Sequence, residues 1–68
     1  MPKFINSYIK FYYSDYNVKD RLIIFRVNNK QDALNCLTRM RNKGVFIKAA
    51  WHELRVNGII TINERIDK

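Results

Sequence analysis

From Phe4 to Tyr13 the chain alternates with a period of two. Ile5, Ile9, Phe11 and Tyr13 fall on one side, and Phe4, Asn6, Tyr8, Lys10 and Tyr12 on the other. Aromatic and β-branched residues at that period predict a β-strand. The run Ser14-Asp15-Tyr16-Asn17-Val18-Lys19-Asp20 reads as a loop, because Ser, Asp and Asn side chains bond their own backbone. Residues 21–28 alternate again, with Ile23, Phe25 and Val27 opposed to Leu22, Ile24 and Arg26. The two strands are close enough in sequence to form an antiparallel hairpin with a long connection.

The period then changes. Ala33, Leu34, Leu37 and Met40, with Cys36 at the margin, make one apolar stripe at helical spacing, predicting a helix over 30–43. Asn29 is placed to cap it, Asp32 falls at the third helical position, and Gly44 supplies the left-handed residue that ends it. Strand patterns return over 45–56 and 59–66, separated by Asn57-Gly58, the pair that best tolerates a type I′ hairpin turn. The expected fold is α+β: ββαββ, two antiparallel hairpins forming a sheet with one helix packed on one face, in a single small domain over residues 1–68. The strand order is not encoded in this pattern. The second hairpin is also capable of swapping onto another protomer.

With Ile5, Ile9, Phe11, Ile23, Phe25, Val45, Ile47, Ile60 and Ile62 assigned to the helix side, the outer face receives Phe4, Tyr8, Lys10, Tyr12, Leu22, Ile24, Arg26, Phe46, Lys48 and His52. Trp51 is then expected to anchor the core beside the helix. A registry slip of one residue would exchange the faces and bring Phe11 and Tyr13 outside.

Charge turns this face into a candidate site. Thirteen Lys and Arg stand against six Asp and Glu, a net +7 with pI near 9.9. Residues 19–43 hold seven cations (Lys19, Arg21, Arg26, Lys30, Arg39, Arg41, Lys43) and two carboxylates (Asp20, Asp32). Rings interleaved with cations can stack bases and follow phosphates. The expected nucleic-acid site is Tyr8, Lys10, Tyr12, Lys19, Arg21, Arg26, Phe46 and Lys48, with DNA and RNA undistinguished. Against this stands an ordinary explanation for Arg39, Arg41 and Lys43, since any helix C-terminus favours cations. The polar helix side, Gln31, Asn35, Thr38 and Asn42, is ordinary solvated surface or, less favourably, a major-groove reader.

The rival reading is a protein-binding inhibitor or adaptor of phage or mobile-element type, gripping an acidic surface on a host protein around Leu22, Ile24 and Phe46. A structural homodimer is the third. Eight Asn, nine Ile and seven Lys fit an AT-rich coding sequence of the kind found in phages and mobile elements.

Catalysis is not expected. His52 and Glu53 point to opposite sides of a strand, Ser7 and Ser14 have no neighbouring base, and no glycine-rich phosphate loop is present. One cysteine and one histidine exclude an internal disulfide and a four-ligand zinc site, so no cofactor or metal is assigned. No signal peptide or membrane span is read, no membrane partner is expected, and a lone thiol fits the cytoplasm of a bacterial cell or infected host. A domain this small buries only about 60% of its unfolded surface, which makes self-association a natural support.

Overall fold

The computed structural model describes residues 3–17 and 19–68; the N-terminal pair and Val18 of the expected loop lie outside the described residues. The elements run β1 (Ile5–Ser14), β2 (Arg21–Val27), α1 (Lys30–Asn42), β3 (Phe46–Val56) and β4 (Ile59–Arg65). The fold is α+β, ββαββ, with four antiparallel strands in one open sheet ordered β2-β1-β3-β4 and the helix packed on it. The long strands β1 and β3 form the middle, leaving β2 and β4 as edges.

The helix begins and ends where local chemistry requires. Asn29 accepts the Asp32 N–H at 2.8 Å, and the Asp32 carboxylate in turn accepts the Asn28 N–H at 3.0 Å. Amides that lack an intrahelical partner are thereby satisfied at the positive end of the helix dipole. At the other end Gly44 adopts φ +85°. Its N–H donates to the Arg41 carbonyl at 3.0 Å, and the Val45 N–H donates to the Met40 carbonyl at 3.3 Å. This pair of bonds is a Schellman closure, which needs a left-handed residue. The Asn57-Gly58 turn likewise has both residues at positive φ, 53° and 82°.

The core lies between α1 and the centre of the sheet. Ile9, Phe11, Val27, Ala33, Leu37, Ala50 and Ile66 are buried, with Tyr13, Ile23, Leu34, Cys36, Met40 and Ile47 packed around them. Phe25 meets Phe11 edge-on at 6.3 Å between centroids. A 13-residue helix is about 20 Å long, whereas an 11-residue strand extends for about 36 Å, so α1 covers only part of the sheet. That mismatch corrects the expected core. Ile5 and Ile62, on the helix side by register, are 60% and 46% exposed because the helix does not reach them.

Two bulges make further corrections. In β3, Tyr12 pairs with Ala49 but Tyr13 pairs with Ile47, so Lys48 is an extra residue and the parity of the strand changes there. Ile47 faces the helix side before the bulge; Ala50, His52 and Leu54 do so after it, opposite Phe11, Ile9 and Ser7. His52, expected outside, is therefore buried on the helix side, and Trp51, expected in the core, lies outside opposite Lys10. A second bulge, at Thr61, pairs Leu54 with Ile62 but Arg55 with Ile60, which sends Ile60 to the outer face.

Candidate nucleic-acid interface

Antiparallel pairing sets residues opposite each other on the same face, so the register defines the outer surface. Tyr8 lies between Arg26 and Glu53, Lys10 between Ile24 and Trp51, and Tyr12 between Leu22 and Ala49. Beyond β3, Glu53 meets Asn63 and Trp51 meets Arg65. Five of the eight expected site residues thus share this face: Tyr8, Lys10, Tyr12, Arg26 and Lys48. Phe46 joins them at the far end opposite Ser14 and is 64% exposed.

The remaining two are placed differently. Arg21 pairs with Tyr13 and so belongs by register to the helix side, which removes it from the expected cluster. Lys19 is exposed in the loop. The same loop reaches the outer face through Asp20, whose carboxylate is bound by the Lys48 ammonium.

The rings form a floor with cations laid on it. Lys10 Nζ is 5.1 Å from the Trp51 ring centre and the Arg65 guanidinium is 5.9 Å from the same ring. Arg55 stacks 4.6 Å over Tyr8, and Lys48 lies 5.4 Å from Tyr12. Each contact is an attraction between a cation and the negative face of a ring. Sequence reasoning missed Trp51 and Arg55 because it ran one parity through the whole of β3, and it assigned no role to Arg65 in β4. The signal in the sequence was faint: Val45 and Ile47 are odd and Leu54 and Val56 even, but Phe46, Ala49 and Trp51 break the alternation on both sides of Lys48.

Not all of these cations are equally available. Lys48 is paired with Asp20, Arg55 with the buried Glu53 at 3.2 Å, and Arg65 with Asp67 at 2.7 Å. The hydrogen bond to Asp20 raises the Lys48 pKa, and the one to Asp67 raises that of Arg65. Both remain protonated at any physiological pH. Lys10 and Arg26 make no ion pair among the described residues, so theirs is the uncompensated charge on this face.

Among the described residues no group of three or more His, Cys, Asp or Glu is placed to hold a metal ion. Among the same residues no helix is long and apolar enough to cross a membrane. No protein-family model, curated protein or solved structure matches this chain.

Proposed function

We propose that this protein is a non-enzymatic nucleic-acid-binding module that uses the outer face of its sheet. The observation that carries this reading is the laying of Lys10, Lys48, Arg55 and Arg65 over the Tyr8, Tyr12 and Trp51 rings, beside the unpaired Arg26. Cations already occupy the ring faces, so phosphates are met first and bases stack only where a cation swings aside. Lys10 and Arg26 provide attraction without breaking an internal ion pair. Lys48, Arg55 and Arg65 exchange one carboxylate for a phosphate, a smaller gain. Affinity on this mechanism is backbone-dominated and falls steeply with salt.

The test is fluorescence polarisation with single- and double-stranded DNA and RNA, titrated from low to physiological salt, on the parent and on Arg26→Ala, Lys10→Ala and Tyr12→Ala. Binding that persists at physiological salt and weakens in all three variants supports the reading. Variants that bind like the parent refute the site, and binding lost well below physiological salt refutes the function.

A second reading is favoured by the exposure of Leu22, Ile24 and Phe46 (64%, 43% and 64%) at the end of this same face. Apolar residues so exposed form the centre of protein interfaces, here an inhibitor or adaptor docking on an acidic host protein. A stoichiometric partner that survives nuclease treatment and is lost in Leu22→Asp or Phe46→Asp distinguishes it. Self-association, the third expectation, draws support from the uncovered apolar end bearing Phe4, Ile5, Ile59 and Ile60, and sedimentation across concentration tests it.

A further inference from the structure

On the helix side, between α1 and the edge strand β2, runs a groove of about 330 Å³ lined by the apolar Phe25 and Val27 of β2 and Cys36 and Met40 of α1, with the cations Arg39 and Lys43 among them. Arg26 also lines it, although by register its side chain belongs to the outer face, and Asp32 closes one end. The Asp32 carboxylate already accepts the Asn28 N–H, whereas Arg39 and Lys43 make no ion pair among the described residues. The chain leaves β2 at Val27 and re-enters the sheet at Phe46 beside Ser14, so α1 ends near the Arg21 end of β2. Arg21 lies on this same side of the sheet by register, at that end of β2.

The strand beside the groove has an open edge. Among the described residues β2 pairs only with β1, as an edge of the sheet, and it carries no proline. Its outward amides and carbonyls can accept another extended chain, whose alternate side chains would fall into the groove.

We propose that the β2 edge and its groove bind an extended acidic peptide by strand addition, with apolar side chains on Phe25 and Met40 and carboxylates on Arg39 and Lys43. Charge selects this occupant. A second copy of this chain adding β2 to β2 would bring together two strands that carry Arg21 and Arg26 and no carboxylate, leaving the positive charge beside the groove unmet. A nucleic-acid strand would place phosphates on an apolar floor and leave the strand edge unpaired. This site is separate from the outer face, and the proposal does not rest on that face binding nucleic acid.

The experiment uses two fluorescein-labelled peptides of about seven residues, the length of β2, Val-Ser-Glu-Ser-Val-Ser-Glu and its counterpart with Lys for Glu, so that Val and the charged residue fall on one face of the strand. The Glu peptide should bind the full chain at least ~10-fold more tightly than the Lys peptide. Arg39→Gln/Lys43→Gln should weaken the Glu peptide ~10-fold, and of two forms N-methylated at alternate amides, one along each edge of the peptide, at least one should lose binding. Occupancy should also slow iodoacetamide modification of Cys36, the only thiol in the chain. The N-methyl and protection arms leave the protein unaltered, so they hold even if the double variant misfolds. Equal binding of both peptides, no loss for either methylated form, or an unchanged Cys36 rate overturns the proposal. So does a thymidine homopolymer that protects Cys36 as well as the peptide, which would make the groove a nucleic-acid site.

Discussion

At one margin of the sheet, β4 carries Glu64 held by Lys30 at 2.7 Å and Arg65 held by Asp67, and the chain that follows continues alongside β3. There Ile66 enters the core, its N–H donating to the Ala50 carbonyl at 2.9 Å. The Ala50 N–H donates to the Asp67 carboxylate, and Arg41 donates to the Asp67 carbonyl, both at 3.1 Å. At the other margin, β2 has cations at Arg21 and Arg26, neighbours at Arg39 and Lys43, and no carboxylate paired with any of them among the described residues. One edge is internally neutralised and tied down; the other retains open backbone and free positive charge. The net +7 is thus unevenly available, and the positive charge left without an internal partner among the described residues lies towards the β2 side.

The largest expected effect tests the tied edge. Ile66→Ala should cost about 2–4 kcal/mol, since it empties a core position and releases the tail, whereas Phe25→Ala, at a site 39% exposed, should cost about 1–2 kcal/mol. Urea unfolding of both measures the contrast, and equal losses would break it.

Next is a pH effect confined to the tied edge. The Arg65 hydrogen bond, helped by the Ala50 amide, lowers the Asp67 pKa from 3.8 to about 2. A carboxylate held down in this way stabilises the fold above its unfolded pKa and loses that contribution as pH falls towards the folded value. The melting-temperature gap between the parent and Asp67→Asn should therefore be constant above about pH 5 and close between pH 4 and 2. The Lys30 hydrogen bond lowers Glu64 in the same direction, so Glu64→Gln should show a similar but smaller closure.

Gly44→Ala probes the helix end that delivers Lys43 to the open edge. A Cβ there would meet nothing within 4 Å, so the cost is the positive φ alone, about 1 kcal/mol by thermal or urea melts. A much larger loss would mean that the helix end is doing more than closing.

The smallest effect is in salt dependence. Arg26→Ala and Lys10→Ala should each lower the slope of log affinity against log salt by about 0.7 for single strands, while Arg65→Ala, already paired with Asp67, should change it less. Equal slopes for all three would show that internal pairing does not decide which cations meet phosphate.

Much of this was legible before any coordinates. The helix stripe, the Asn29 cap, the Gly44 closure and the Asn57-Gly58 turn are local, depending on residues within a few positions of one another. For the same reason Tyr8, Lys10, Tyr12 and Arg26 were correctly grouped, because β1 and β2 keep one parity throughout. The misplacement of Trp51 and His52 came from a single inserted residue in β3, which reverses every side chain after it. The exposure of Ile5 and Ile62 came from the shortness of α1 relative to the strands it crosses.

Sequence alone therefore determined the elements, their order and the excess of positive charge, since each follows from periodicity, capping and composition. Tertiary structure decided the strand order, the bulge that puts Trp51 under Lys10 and Arg65, and the carboxylates that silence Lys48, Arg55 and Arg65. Pairing between distant segments is set by long-range packing and register, which no local pattern carries.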